Sequence, residues 1–132
     1  MTQGQTPRDG SPALSGVRVL LVEDGWHVAD ALQASLEKMG MVVIGPVATT
    51  AEARRLAAEH APELAIVDVN LNGEMAYAFL DWLRGRRTRL IVMSGYEDLP
   101  KSLAKFAVIL RKPFTPEALA AALQRVARLE PP

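Results

Sequence analysis

Cysteine is absent from the 132 residues of this chain, which excludes disulfide frameworks, thiolate zinc sites and thiol catalysis together. The absence fits a reducing compartment, so cytoplasm is the default expectation. Net charge is missing too. Lys plus Arg equals Asp plus Glu at 15 each, so no overall field draws the chain to nucleic acid or to an anionic membrane. Nor is there a long apolar run. A membrane-spanning helix needs about 20 consecutive apolar residues, whereas the longest candidates here are runs of four to six bounded by charge or glycine. The first sixteen residues, broken by Gly4, Pro7, Gly10, Pro12 and Gly16, suit neither a signal nor an anchor and read as a flexible tail. One domain over residues 17–129 is the expected organisation.

What is present is regular alternation. Apolar runs at Val17–Val22, Met41–Val47, Leu64–Val67, Leu90–Met93 and Ala107–Leu110 read as five strands. Helical stretches separate them. The first has Val28, Ala31, Leu32, Leu36 and Met39 on one stripe and stops at Gly40. The second opens on Thr49 and Glu52 at capping-box spacing and ends before Pro62. Weaker segments cover Tyr77–Arg84 and the stretch from Glu97 to Lys105. The last is capped by Thr115, carries Pro116 in its first turn and offers Leu119, Ala122, Leu123 and Val126 for burial. Strands that are continuously apolar and alternate with helices predict a doubly wound α/β fold, with a five-stranded parallel sheet covered on both faces.

Chemistry in such folds collects at the carboxyl ends of the strands. There Val22 leads into Glu23 and Asp24, Val67 into Asp68, Met93 into Ser94, and Leu110 through Arg111 into Lys112 and Pro113. Carboxylates gathered on one edge raise each other's pKa unless a cation sits among them, and Mg²⁺ suits such oxygen donors. Asp68 can also act as a nucleophile toward phosphorus, with Ser94 as hydrogen-bond donor and Lys112 as point charge for the transferred group.

Val-Glu-Asp after the first strand, Asp68 after the third, Ser94-Gly95 after the fourth and Lys112-Pro113-Phe114 after the fifth together resemble the response-regulator receiver family of two-component signalling. The resemblance runs from about Val17 to Leu129, and the 44 residues from Asp24 to Asp68 agree with it. It implies a flavodoxin-like (βα)5 fold with strand order 2-1-3-4-5. Asp68 becomes the phosphoacceptor, with Glu23 and Asp24 as the acidic pair. Asn70 becomes a Mg²⁺ ligand through its backbone carbonyl, Ser94 the switch hydroxyl and Lys112 the essential lysine, before a cis bond to Pro113. A histidine kinase or histidine phosphotransfer protein is the implied partner, a homodimer stays open, and with little sequence after the last helix the expectation is a stand-alone receiver or an excised one.

Three features depart from the family pattern. Ile109 stands where an aromatic switch residue is usual, three positions before the lysine. Ser94 and Lys112 are only 18 residues apart, which shortens the fourth helix. Asn72-Gly73 replaces the usual Pro-Gly in the loop after the phosphoacceptor. Tyr96 is expected to modulate access to the site, and Trp26 either covers it or anchors the first helix. His27 and His60 lack partners at ligand spacing, and the cluster Arg84, Arg86, Arg87 and Arg89 reads as a solvated loop. Singly, a strand-end Asp is ordinarily a cap or a turn; the ordered set is what carries the reading. Two rival functions are a small Mg²⁺-dependent phosphohydrolase, against which Asn70 stands where a general acid is needed, and a phosphorylation-independent docking module, which Ile109 mildly favours and intact Asp68, Ser94 and Lys112 oppose.

Overall fold

The computed structural model describes residues 14–95 and 97–129; most of the expected N-terminal tail, and Tyr96, lie outside them. The elements in chain order are β1 (Arg18–Val22), α1 (Trp26–Lys38), β2 (Val42–Val47), α2 (Thr50–His60), β3 (Leu64–Asp68), β4 (Asn70–Leu71), β5 (Glu74–Met75), α3 (Tyr77–Gly85), β6 (Arg89–Ser94), a 3₁₀ turn (Lys101–Lys105), β7 (Ala107–Arg111) and α4 (Pro116–Arg128). The main sheet is parallel with order β2-β1-β3-β6-β7. Setting aside the small β4–β5 hairpin, this is the order 2-1-3-4-5 of the flavodoxin-like fold.

Alternate residues of the strands feed two separate cores. Leu20, Val22, Ala65, Val67, Leu90 and Val92 face α2 and α3, where Ala53, Ala57, Phe79, Leu80 and Leu83 meet them. Val19, Leu21, Ile66, Ile91 and Met93 face α1 and α4, with Leu32, Leu36, Leu119, Leu123 and Val126. Burial on both faces explains why the strands are apolar without a break.

The helix ends follow the sequence signals. Thr49 Oγ1 accepts from the Glu52 amide at 3.2 Å and Thr115 Oγ1 from the Ala118 amide at 3.0 Å. The stripe of α1 differs by one residue from expectation. Ala29 is buried with Leu32 and Leu36 while Ala31 is exposed, because 100° per residue turns position 31 away from the face that Leu32 and Leu36 share. Ordered packing also begins earlier than Val17. Leu14 is 4% exposed within the α1/α4 core, and the Gly16 amide donates to the Gly40 carbonyl at 2.7 Å.

Between Pro100 and Phe106 only a single 3₁₀ turn forms, so α1 to α4 are the α-helices of the described residues. The β4–β5 hairpin is additional. Asn72 and Gly73 both have positive φ, 54° and 89°, as a two-residue hairpin turn requires. At the end of β2 the pairing with β1 shifts between Leu20 and Val22, where Gly45 takes φ 98° and a side chain would come within 2.9 Å of the Leu21 carbonyl. The shift brings the Val47 carbonyl to the Glu23 amide at 2.9 Å and so fixes the start of the acidic pair. The Gly45–Pro46 and Lys112–Pro113 bonds are cis. No helix of the described residues is long and apolar enough to cross a membrane.

Phe79, 1% exposed, is among the largest fully buried side chains, whereas Val42 is 50% exposed. Phe79→Ala is expected to lower the unfolding free energy by about 3–5 kcal/mol, and Val42→Ala to change it by no more than about 0.5 kcal/mol. Urea denaturation of the two variants checks this; similar losses in both would contradict the assigned core.

Candidate functional site at the carboxyl edge of the sheet

Parallel strands in register end on one edge, and this sheet ends on polar residues. Val22 pairs with Val67, Asp68 with Met93, and Ser94 with Arg111. Glu23 and Asp68 therefore emerge side by side from neighbouring strands, with Ser94 on the next. All three are buried, at 4%, 5% and 0% exposure, while Asp24 is half-buried. Glu23, Asp24 and Asp68 each place one carboxylate oxygen within 4.8 Å of the others.

Lys112 joins them. Its Nζ lies 2.5 Å from Asp68 Oδ2 and 3.0 Å from Glu23 Oε1, and its amide donates to the Ser94 carbonyl at 2.8 Å. The second oxygen of Asp68 accepts from the Asn70 amide at 2.9 Å, and Glu23 Oε2 accepts from the Gly25 amide at 2.9 Å. Burial pushes the Glu23 carboxyl above its ordinary pKa; the Gly25 N–H and Lys112 pull it down, and Asp68 adds to the rise. Burial also acts to lower the Lys112 ammonium, but hydrogen bonds and charge from Asp68 and Glu23 outweigh it and hold the lysine above its ordinary value. Glu23 and Lys112 are pushed the same way for different reasons: the lysine gains two anions, whereas the glutamate loses more water than one shared cation returns.

The donor set fits a hard divalent cation. Three carboxylates converge, and Glu23 Oε1 is buried without a hydrogen bond of good geometry, its charged neighbour being Lys112. Oxygen donors with room for water are what Mg²⁺ takes.

Beside this cluster lies a second one that the sequence did not reveal. Glu97 Oε1 accepts from the Ser94 hydroxyl at 3.1 Å and from the Gly95 amide at 2.8 Å, while Oε2 accepts from the Asn70 side-chain amide at 3.2 Å. Hydrogen bonds from its own amide first, and then from Gly95, Asn70 and Ser94, hold its carboxyl below the ordinary pKa. Arg111 donates to Ser94 Oγ at 3.0 Å and to the Glu97 carbonyl at 3.2 Å. A carboxylate three residues after the serine was the available signal, but nothing in sequence told an inward glutamate from a solvated one.

The remaining candidates separate. Ile109 is half-buried against the α2/α3 core. Trp26 is 68% exposed at the start of α1, its ring stacked on His27 at 3.6 Å between centroids, so it anchors no buried face. His60 sits at the end of α2 beside Glu59. Arg84 lies over Phe106 at 4.3 Å, Arg86 over Trp82 at 4.8 Å, and Arg89 donates to the Leu129 carbonyl, so these arginines hold local structure. A groove of about 620 Å³ between α1 and α4 opens beside Lys112, lined by His27, Leu32, Pro113, Phe114 and Leu119.

Comparison with known proteins is informative at this point. The family model described as the response regulator receiver domain matches residues 19–124. No curated protein matches the chain. Among solved structures, SdrG from Sphingomonas melonis Fr1 is similar at 28% identity and a TM-score of 0.75, over 84% of this chain and 96% of that one. A CheY-like receiver domain from Methylobacillus flagellatus superposes with a TM-score of 0.75 at 24% identity, over 85% and 99% of the two chains. The PhyR stress response regulator gives a TM-score of 0.70 at 24% identity over 84% of this chain, which spans only 45% of that longer protein.

If Lys112 is the cation that two buried carboxylates share, Lys112→Ala should lower the unfolding free energy in metal-free buffer by about 2 kcal/mol, less than a fully buried pair because the ammonium keeps some water. Saturating Mg²⁺ should restore most of the loss, since a ligand of the folded state adds stability by mass action. The same ion should alter the fluorescence of Trp26 in Trp82→Phe and leave it unchanged in that background once Asp24→Ala is added. Urea curves and emission spectra check both; a variant as stable as the parent without metal would show that the carboxylates need no shared cation.

Proposed function

The chain belongs to the response regulator receiver family, and on that premise we propose that Asp68 accepts a phosphoryl group from a histidine kinase or a histidine phosphotransfer protein. The carrying observation is the state of Asp68: buried at the end of β3, with the Lys112 ammonium on one oxygen and the Asn70 amide on the other. A nucleophile so held is oriented by fixed donors, and the same donors remain to receive the charge of the product.

In the proposed step a carboxylate oxygen of Asp68 attacks phosphorus in line, the P–N bond of the donor phosphohistidine breaks, and the imidazole leaves with the electron pair and takes up a proton. The product is an acyl phosphate. Glu23, Asp24, Asp68 and the backbone carbonyl of Asn70 are the residues that would hold Mg²⁺, which supplies charge neutralisation for the transferring group when bound. Lys112 can follow the charge from the carboxylate to a phosphoryl oxygen, and the Ser94 hydroxyl can donate to another. The groove between α1 and α4 beside Lys112, largely apolar, offers a helix of the donor a surface next to the nucleophile.

The family is one of signalling domains, and the site is built accordingly. The position two residues after Asp68, where a hydrolase would carry a general acid, holds Asn70, whose side-chain amide is committed to Glu97 and whose oxygen accepts from the Gly73 amide at 2.7 Å. The phosphoryl group is therefore held as a signal and switches partner binding. Ile109 has no ring to rotate and is confined at χ1, so the change passes through the backbone from Ser94 to Lys105.

Incubation with acetyl phosphate and Mg²⁺ should add one phosphoryl mass to the intact protein, in a linkage stable to acid and labile to base. Asp68→Asn should remain unmodified. Equal labelling of Asp68→Asn would place the acceptor elsewhere and remove the basis of this assignment.

A further inference from the structure

Three donors around Asp68 already hold an anion. We propose that the Glu97 carboxylate occupies the place of an incoming phosphoryl oxygen, so that phosphorylation must expel it and the expulsion is the switch. The inference rests on the assignment of Asp68 as phosphoacceptor and adds the internal competitor that regulates it.

The donors belong to the phosphoryl site by position. Ser94 ends the strand beside β3, one residue beyond the Asp68–Met93 pair, Gly95 follows it, and Asn70 lies two residues after Asp68. An oxygen carried on Asp68 toward β6 reaches the Ser94 hydroxyl and the Gly95 amide, because adjacent strands lie about 4.8 Å apart. Both groups now donate to Glu97 Oε1. A serine hydroxyl has one proton to give, so Ser94 cannot serve Glu97 and a phosphoryl oxygen together. The Asn70 amide is oriented by the Gly73 N–H on its oxygen, which leaves its NH₂ toward Glu97 Oε2.

Charge makes the competition one-sided once Asp68 is modified. A phosphoryl group brings close to two negative charges, and a third anion in the same half-buried space is repelled. Glu97 does not leave alone. Its carbonyl is tied to Arg111, which also holds Ser94 Oγ, and its chain runs through Pro100 into the 3₁₀ turn whose Leu103 is buried beside Ala107 of β7. Release of Glu97 breaks one of the ties of Arg111, leaves those to Ser94 and Gly95, and shifts the Leu99–Lys105 surface, a movement that needs no aromatic ring at position 109.

Binding of beryllofluoride, a phosphoryl mimic, in saturating Mg²⁺ tests this by titration of the wild-type protein, Glu97→Ala and Glu97→Gln, read from amide spectra that also report folding. Glu97→Ala should bind about tenfold more tightly, the scale of one charge-assisted hydrogen bond, with Glu97→Gln between. Without metal or mimic, the Gly95 amide proton of Glu97→Ala should lose its charged acceptor and move upfield. Equal or weaker binding by both variants, or an unmoved Gly95 resonance, would overturn the competitor while leaving the phosphoacceptor in place. Absence of binding in the wild-type protein and in both variants would overturn the phosphoacceptor assignment and the competitor with it.

Discussion

Two carboxylates meet at the buried ends of neighbouring strands, and Lys112 is the cation this chain places between them. Glu23 follows β1 and Asp68 ends β3, and these strands are adjacent, so their side chains meet before any ligand is considered. The lysine that neutralises them comes from β7, two positions further along the sheet. Between β3 and β7 lies the end of β6, where Ser94 is fully buried and its carbonyl accepts from the Lys112 amide. The upper edge is arranged around this contact, with an inward lysine after β7 and a chain that turns away at once through Pro113 into α4.

Under the proposed function the same contact would let the edge exchange one cation for another. A metal ion bound among Glu23, Asp24 and Asp68 would take over part of the charge that Lys112 neutralises. The lysine would then be available to a phosphoryl oxygen, while the strands beneath stay packed between the two cores.

Much of this was legible in the sequence, since the features concerned are periodic or sit at fixed offsets. Continuous apolar runs gave the sheet, Thr49 and Thr115 gave helix starts, and polar residues after each run marked the edge. The structure brings Glu23, Asp24, Asp68 and Lys112 together and puts Ser94 on the adjacent strand. What stayed hidden has no periodicity. The β4–β5 hairpin has two-residue strands, too short to alternate, and only Asn72-Gly73 signalled a turn. Ala29 and Ala31 differ in burial although their side chains are identical, so only the exact phase of α1 separates them. Glu97 turns back onto Ser94 and Gly95, and the exposed Arg111 at the end of β7 reaches the same serine, through a loop path that local composition does not encode.

The 3₁₀ turn between β6 and β7 has a consequence for how stability is distributed. α4 is thirteen residues long and buries four of them, whereas the turn has five residues and buries Leu103 alone. Its two ends are tied by Leu103 N–H to the Pro100 carbonyl and Phe106 N–H to the Leu103 carbonyl, and as a 3₁₀ segment it lacks the i to i−4 ladder of an α-helix. Local opening takes least free energy where few apolar contacts and few protected amides are lost. The stretch from Leu99 to Phe106 is therefore a soft panel set in a stiff frame, opening in native-state hydrogen exchange well before β3 or α4. In the proposed switch, softness there would let a small electrostatic event at the strand ends redraw the outer surface.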